Sequence, residues 1–427
     1  MDVRTKALME FLDGAHSVFH AIAGLENVLS DNGYSCLQES DAWELLPGGK
    51  YYVTRGGSAV IAFRVPENPC KGFLMSASHA DRPTFKVKEN GEQVGAYARL
   101  LVERYGGMLM APWFDRPLSV AGRVLVETEN GVQSKLVDID RDLMMIPNVA
   151  IHMNRKANDG YAYNPAVDLL PLMGGKDAKG KLNALLEQAA GGKILGHDLY
   201  LYIRENARVW GVDEEYLSAQ AIDDLECAWC CAQGFLKAVP GSSMPVLCVF
   251  DSEEVGSSSL QGAASNLLES VLRRICDSLQ LNYDQALAQS MMVSADNAHA
   301  IHPNHPEYAD AANAPVMGGG IVLKYNANQR YTTDGVTAAL FRKVCQQADV
   351  PVQTYYNRAD LPGGSTLGNI SLSHVSVPSV DIGLPQLAMH SCYETAAVKD
   401  ALYLEDAMTA YYSSTLSCGK NGEFSLK

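Results

Sequence analysis

Apolar and polar positions follow two different periods along the chain. Residues 14 to 40 carry apolar side chains at helical spacing and end in DNGY, which predicts a helix with its C-terminal stop. The short apolar runs YYVTRGGSAVIAFRV and GFLMSASH then predict strands. From Tyr216 onward, helical segments alternate with the runs MPVLCVF, SMMVSAD, VPVQTYY and SVPSVDIG. This alternation predicts an α/β fold, an α/β/α sandwich around a mixed or mostly parallel sheet.

The stretch from about 89 to 215 has a different pattern of apolar, polar and turn-forming residues. It contains β-like segments with Gly- and Asn-bearing turns, such as GRVLVETENGVQSKLV. It also contains the Gly/Lys/Asp-rich stretch MGGKDAKGKLN, which is typical of a mobile loop. We therefore predict a β-rich domain at 89–215, inserted into a domain formed by 1–88 and 216–427.

Composition and charge limit the classes of partner that the protein is expected to bind. The chain has 427 residues with 47% hydrophobic content, which is enough for a large core and two domains. Its formal net charge of −15, with no Lys/Arg run, disfavours nucleic acid and anionic lipid as partners. The N-terminus lacks an apolar signal region, and no segment approaches the ~20 apolar residues that cross a bilayer. We expect a soluble, cytoplasmic protein without membrane contact.

The cysteines do not indicate a disulfide framework. Ten are scattered along the chain, several inside apolar patterns, and we interpret them as reduced thiols. Cys227, Cys230 and Cys231 form CAWCC, but a structural zinc site needs four ligands and no second pair follows at the required spacing. We predict buried helical cysteines.

Polar side chains follow four of the predicted strands. The runs GFLMSAS, PVLCVF, SMMVS and SVDIG lead respectively to His79 and Asp81, to Asp251, Glu253 and Glu254, to Asp296, and through LPQLAM to His390. Because the carboxyl ends of parallel strands meet in one crevice, these side chains should meet there. Two His and several carboxylates suit Zn²⁺, and a bridging carboxylate can hold a pair of ions ~3.5–4 Å apart, a recurrent hydrolytic device. One of the adjacent acids in SEE could bind metal while its neighbour acts as general base.

Each of these elements also has an ordinary interpretation. HAD could be a loop histidine with a hydrogen-bonded Asp, and SEE a solvated turn. His299, His302 and His305 in AHAIHPNH have a metal-like spacing but could cap, pack or face solvent. Asp223, at the entry of a helix, is predicted from its position to be an N-terminal cap. The coincidence of four strand ends favours a metal centre.

Ten motifs carry a resemblance to a known family. They occur in the family's order and are SVFHA, SHADRPTFKVK, WFDRPLSVAGRV, IPNVAIHMNR, AIDDLECA, DSEEVGSSSLQGA, SADNAHAIHPN, KYNANQRYTTDG, GGSTLGNI and DIGLPQLAMHSCYE. From about residue 14 to 394 the chain resembles the M18 metalloaminopeptidases, which include aspartyl aminopeptidase and vacuolar aminopeptidase I. The resemblance implies a hydrolase whose catalytic domain is interrupted by a dimerisation domain. It also implies a homo-oligomer, a dodecamer built from dimers.

The resemblance further implies a role for each matching residue. Two divalent metal ions per subunit are implied, Zn²⁺ first, with Co²⁺ or Mn²⁺ as alternatives. The implied roles are Asp223 as the bridge between the ions, His79 and Asp296 as ligands of one ion, Glu254 and His390 as ligands of the other, Glu253 as general base, Asp81 as the residue that holds the His79 ring, His152 as a histidine supplied to a neighbouring subunit's site, and Lys324 as the contact for an acidic substrate. For His152 a local hydrogen bond is the ordinary alternative, and for Lys324 it is a side chain that reaches solvent.

Three positions depart from the family pattern. Asp224 stands where the family commonly has Asn, which adds a charge and leaves open which acid bridges. Arg82 in HADRP places a second cation beside the site, and Asn369 in STLGN replaces a Pro. We expect removal of the N-terminal residue of peptides, with a preference for Asp or Glu. The alternatives are a two-metal aminopeptidase or deacylase of neutral or broad specificity, and an assembly or cargo protein with minor activity.

Overall fold

The computed structural model describes residues 1–361, 363–364 and 366–427. The α-helices of these residues are α1 (Val3–Gly14), α2 (Val18–Asp31), α3 (Lys181–Ala190), α4 (Ile222–Lys237), α5 (Leu267–Leu279), α6 (Tyr283–Leu287), α7 (Gly335–Gln347), α8 (Leu367–Ser371) and α9 (Val398–Ser413). The strands are β1 (Ser35–Cys36), β2 (Lys50–Arg55), β3 (Ala59–Arg64), β4 (Gly72–His79), β5 (Thr84–Val94), β6 (Ala98–Tyr105), β7 (Leu118–Thr128), β8 (Gly131–Asp138), β9 (Leu172–Gly174), β10 (Ile194–Ile203), β11 (Arg208–Trp210), β12 (Tyr216–Ala219), β13 (Ser243–Phe250), β14 (Met291–Ala295), β15 (Ala298–His299), β16 (Ile321–Tyr325), β17 (Val352–Tyr356), β18 (Ser379–Gly383), β19 (Pro385–Gln386), β20 (Glu394–Ala397), β21 (Leu416–Cys418) and β22 (Phe424–Leu426).

The largest sheet of the described residues is mixed and has nine strands, in the order β1-β2-β3-β13-β4-β14-β18-β16-β17. Its centre consists of the parallel neighbours β13, β4, β14 and β18. These central strands are buried along their whole length, as expected for parallel strands covered by helices on both faces. The predicted α/β/α sandwich with a mixed sheet is confirmed.

Alternate residues of each central strand pack into separate cores on the two faces of the sheet. On β4, Leu74 joins the core under α1, α2, α4, α7 and α9, whereas Phe73 and Met75 join the core under α5, α6 and α8. This alternation is the period of two that a strand imposes on its side chains. The strands are thus packed between two helical layers, which positions the residues that follow their ends.

A second sheet is built from residues 84–203, and all of its strand pairs are antiparallel, in the order β8-β7-β10-β5-β6-β9. Its core is formed by its own apolar side chains together with α3. The strand β11 pairs with β12, and β12 pairs in turn with β20 from the C-terminal part of the chain. The domain boundaries at 89 and 215 stay a prediction.

Several local predictions can be compared with the elements observed. The helix predicted within 14–40 is α2, and Ser17 caps its N-terminus. MGGKDAKGKLN, predicted as a loop, contains the end of β9, a short 3₁₀ turn and the start of α3. Cys227, Cys230 and Cys231 are buried free thiols within α4, as predicted. In the part of the chain described here, no helix has the length and apolarity needed to cross a membrane.

Candidate metal centre and active site

The predicted metal ligands meet at the carboxyl edge of the large sheet. His79 is the last residue of β4, and its partner across the sheet is Phe250, the last residue of β13. A 3₁₀ turn after β13 carries Glu253 and Glu254, and Asp296 directly follows β14. His390 reaches the same place from the segment after β19. The structure therefore brings together the side chains that the sequence places after four different strands.

Asp223 lies at the centre of this group, between two histidines. Its Oδ1 is 3.4 Å from Nε2 of His79, and its Oδ2 is 3.5 Å from Nε2 of His390. A second carboxylate accompanies each histidine. His79 Nε2 is 4.0 Å from Asp296 Oδ1, and His390 Nε2 is 3.4 Å from Glu254 Oε1. The two oxygens of one carboxylate thus face two separate pairs of donors.

The interpretation of Asp223 as a helix cap is wrong. The residue lies in the first turn of α4 with non-helical backbone angles, φ −81° and ψ 109°, and no side chain caps this helix. Its backbone N–H donates instead to Glu394 Oε2 at 3.0 Å. Position alone could not separate the two roles, because an acid at a helix entry is also the usual capping residue.

Glu394 is a residue that the sequence analysis missed, although it ends the motif DIGLPQLAMHSCYE. The side chain is 2% exposed, and its Oε1 accepts the backbone N–H of His390 at 2.6 Å. One carboxylate therefore binds the backbones of two predicted ligands, Asp223 and His390. Glu394 is the first residue of β20, and an acid at that position was the available signal, but one of its two partners, Asp223, lies 171 residues away in the sequence.

The donor set fits a metal ion. Asp223 Oδ1 and Glu254 Oε1 are buried and have no hydrogen-bond partner among the described residues. Burial, followed by the charge of Asp223, raises the pKa of Glu254 well above its ordinary value. Burial acts to lower the pKa of His79, but Asp223 and Asp81 raise it well above the ordinary value. Such a concentration of buried acids is costly without a cation, and imidazoles and carboxylates are ligands that zinc accepts.

Asp224 also lies in this region, but one of its carboxylate oxygens binds the backbone of β4. It is fully buried, and its Oδ2 accepts the backbone N–H of His79 at 3.1 Å. Its Oδ1 has no partner among the described residues, and one of its two carboxylate oxygens lies within 4.8 Å of carboxylate oxygens of Asp223 and Asp296. Burial raises the pKa of Asp224 well above its usual range. Asp223, which lines the cavity described next, faces both histidines, whereas Asp224 supports the end of β4.

A cavity of about 180 Å³ opens over this group. It is lined by His79, Asp223, Glu253, Asp296, Asn297, Ala298, His299, Lys324, Tyr331, Tyr355, Gly364, Thr366, Met389 and His390. Burial raises the pKa of Glu253 to about 7. A carboxylate of this kind at the cavity wall has the chemistry of a general base.

Lys324 is buried rather than solvated. It is 3% exposed, its Nζ donates to the Asn297 carbonyl oxygen at 2.7 Å, and it lies 3.5 Å from Asp296 Oδ2. Among the cavity-lining residues that the structure describes, it is the only Lys or Arg. The solvated alternative for Lys324 therefore does not apply.

Several predicted residues lie away from the cavity. His152 is exposed, as are His302 and His305, and His305 Nδ1 is 2.9 Å from Glu307. Arg82 does not act as a cation in the cavity, because its guanidinium donates to the carbonyl oxygens of Ala15 and His16 at 3.0 and 2.8 Å. Asn369 lies within α8. Ser365, part of the motif GGSTLGNI, is outside the described residues.

Comparison with known proteins gives one consistent result. The family model of the aminopeptidase I zinc metalloprotease (M18) matches residues 11–412. Probable M18 family aminopeptidase 2 of Clostridium novyi is 40% identical over 422 residues, which cover 95% of this chain and 98% of the relative. Its counterpart in Pseudomonas entomophila is 40% identical over 425 residues, which cover 97% of this chain and 99% of the relative.

Solved structures agree with these matches. A chain in the cryo-EM structure of the Ape4 and Nbr1 complex superimposes with a TM-score of 0.92 at 35% identity, covering 96% of this chain and 85% of that one. The S. cerevisiae mApe1 dodecamer superimposes with a TM-score of 0.85 at 25% identity, with 96% of each chain covered. The fold, the donor set and these matches define a metal-dependent peptidase of the hydrolase class. The chain belongs to the M18 family of aminopeptidases, as the sequence motifs predicted.

Proposed function

We propose that this metal-dependent aminopeptidase uses two divalent ions held by one bridging carboxylate, Asp223. The observation that carries the proposal is that the two oxygens of Asp223 face different partners, His79 with Asp296 and His390 with Glu254. Zinc is the metal named in the family description, and these five residues would hold it. When bound, the pair of ions supplies Lewis acidity for the peptide carbonyl and for the attacking water.

The protein's own side chains would transfer the proton and orient the metal ligands. Glu253 lines the cavity without being one of the five donors, so its carboxylate can take a proton from water and return it to the departing amine. Asp81 lies behind His79, with its backbone carbonyl oxygen 3.1 Å from His79 Nδ1. Because a carbonyl oxygen can only accept, Nδ1 carries the hydrogen and Nε2 is directed at Asp223.

Lys324 supports a preference for an acidic N-terminal residue. A strongly acidic protein with a net charge of −15 repels a substrate carboxylate unless a local cation attracts it. Among the described cavity residues, Lys324 is that cation. Its low solvent exposure means that its charge is only weakly screened by water.

The assembly we propose is a homo-oligomer, a dodecamer built from dimers. Its dimer contact would be formed by the inserted domain at 89–215. Support comes from the S. cerevisiae relative, which is described as a dodecamer. In such an assembly the exposed His152 would enter the active site of a neighbouring subunit.

Metal analysis of two neighbouring variants tests the assignment of the site. Purified wild type should hold about two zinc ions per chain. Glu253→Gln should abolish turnover and keep this metal content, because the amide preserves shape but cannot accept the proton. Glu254→Ala should lose metal as well as activity. Equal metal loss in the two variants, or a single ion in wild type, would contradict the assignment.

A further inference from the structure

Asp81 links three parts of the site through its carboxylate. It is 3% exposed, and its Oδ1 accepts the backbone N–H of Glu253 at 3.0 Å. Its Oδ2 accepts the backbone N–H of Glu254 at 3.2 Å. Oδ1 also lies 3.4 Å from His79 Nδ1. The orientation of Asp81 therefore sets the turn that carries Glu253 and Glu254 and bears directly on the His79 ring.

The hydroxyl of Tyr105 holds Asp81 in this orientation. Tyr105 is the last residue of β6 in the six-stranded sheet, and its hydroxyl donates to Asp81 Oδ2 at 2.7 Å. Burial, with the nearby charge of Asp81, raises the pKa of this phenol, so the group stays protonated and donates. The ring packs edge-on against Tyr200 at a centroid distance of 5.7 Å, which fixes its direction.

The two glycines after Tyr105 reach the other half of the site. Gly106 has φ +73°, and a Cβ atom there would stand 3.1 Å from Cβ of Glu254. The carbonyl oxygen of Gly107 lies 2.8 Å from Nδ1 of His390. Because that oxygen can only accept, Nδ1 of His390 carries the hydrogen and Nε2 is left to face Asp223 and Glu254. The backbone N–H of Leu109 also donates to the His390 carbonyl oxygen at 2.9 Å.

We propose that the segment Tyr105–Gly107 is a positioning element that aligns both halves of the metal centre from the six-stranded sheet. Tyr105 acts through Asp81 on His79 and on the turn of Glu253 and Glu254, and Gly107 acts directly on His390. The proposal rests on the two-metal site proposed above. Hydrogen bonds to metal ligands set the direction and basicity of those ligands. The six-stranded sheet would therefore take part in the chemistry as well as in any assembly.

The test compares two tyrosines that pack against each other. Tyr105→Phe removes the hydroxyl that binds Asp81, whereas Tyr200→Phe removes a hydroxyl for which the described residues provide no hydrogen bond. We expect Tyr105→Phe to lose zinc to a chelator about ten- to a hundredfold faster than wild type, and kcat to fall with little change in KM. Tyr200→Phe should match wild type in both. The Tm of the metal-free proteins, measured in parallel, separates the loss of stability that follows from removing a hydrogen bond to a buried carboxylate from the loss of zinc and of kcat.

A second pair of variants tests the glycine turn. Gly106→Ala places a methyl group against Glu254, at a positive φ that L-residues rarely adopt. Gly33→Ala is the matched control, because Gly33 has φ +79° and nothing within 4 Å of its added Cβ. Both substitutions carry the same backbone penalty, so a faster loss of zinc in Gly106→Ala alone isolates the contact with Glu254. The visible spectrum of Co²⁺-substituted protein should change in that variant and not in the control.

Two results would overturn the inference. One is that Tyr105→Phe retains zinc and kcat as well as Tyr200→Phe does. The other is that Tyr105→Phe lowers only the Tm of the metal-free protein, which would make its role structural. Failure of the underlying site would look different, because Glu254→Ala would then keep its metal. If Glu254→Ala loses metal while both tyrosine variants retain it, only the positioning role is wrong.

Discussion

Lys324 is a cation whose donors are only partly used by the protein. An ammonium group has three N–H donors. Among the described residues, the Asn297 carbonyl oxygen takes one of them and the carboxylate of Asp296 lies close enough for a second. The third can bind a substrate carboxylate, and the low exposure of the side chain keeps this contact from being screened.

Lys324→Met should therefore change specificity more than general activity. Loss of a charge-assisted contact worth roughly 1.5–3 kcal/mol should lower kcat/KM for Asp- and Glu-peptides about ten- to a hundredfold. Leu- and Ala-peptides should be affected much less. The measurement is kcat/KM for all four substrates with wild type and variant, together with metal content, since Lys324 also contacts Asp296.

Two outcomes would contradict this account of Lys324. A uniform loss across the four substrates would make the residue structural. A wild-type enzyme that prefers Leu would remove the acidic preference altogether. Arg82→Met is the matched control for loss of a cation, because Arg82 binds backbone carbonyls and does not line the cavity among the described residues.

At the scale of elements, Arg82 connects the C-terminal end of α1 to the segment that follows β4 of the large sheet. It follows β4, and its two hydrogen bonds reach the carbonyl oxygens of Ala15, which caps the C-terminus of α1, and of His16. A charged donor at a helix C-terminus satisfies carbonyl groups that the helix itself leaves unpaired. Burial lowers the pKa of Arg82 to about 10, which still leaves the group charged near neutral pH.

We expect Arg82→Met to cost stability rather than specificity. The substitution leaves two partly buried carbonyl oxygens without donors, and each hydrogen bond to a charged group contributes about 1.5–3 kcal/mol. The Tm should fall by several degrees relative to Arg273→Met, which removes a surface arginine that is 54% exposed. The ratio of kcat/KM for Asp- and Leu-peptides should stay unchanged. A tenfold change in that ratio would show that Arg82 acts on the substrate after all.

How far the sequence predicts these elements depends on the distance between partners. The strand ends that carry His79, Asp296 and Glu254 were predictable, because apolar runs mark strands and parallel strands share one carboxyl edge. Tyr105 and Glu394 were not, since each acts through partners that only the folded chain brings together. The approach of Tyr105 to Asp81 requires two sheets to meet, and no periodic pattern encodes that meeting.

At the scale of the whole molecule, the family resemblance predicts that His152 contributes to the site of a neighbouring subunit. That histidine is exposed within a single chain, in a segment with exposed apolar side chains such as Val149, Ile151 and Met153. Exposed apolar groups close together are typical of a surface that another protein covers. In the assembly proposed above, a second copy of the chain related by a twofold axis would bury this segment and bring each His152 to the partner's cavity.

Mixing two inactive variants distinguishes a contribution in trans from one in cis. His152→Ala retains Glu253, and Glu253→Gln retains His152, so a mixed dimer contains one site that receives both intact groups. After dissociation and random reassembly of equal amounts, about a quarter of all sites should be complete, and activity should recover toward that fraction of wild type. Each variant reassembled alone is the control and should stay inactive. If mixed oligomers form, as shown by differently tagged chains purifying together, and activity remains at the level of the controls, His152 does not act across the subunit interface.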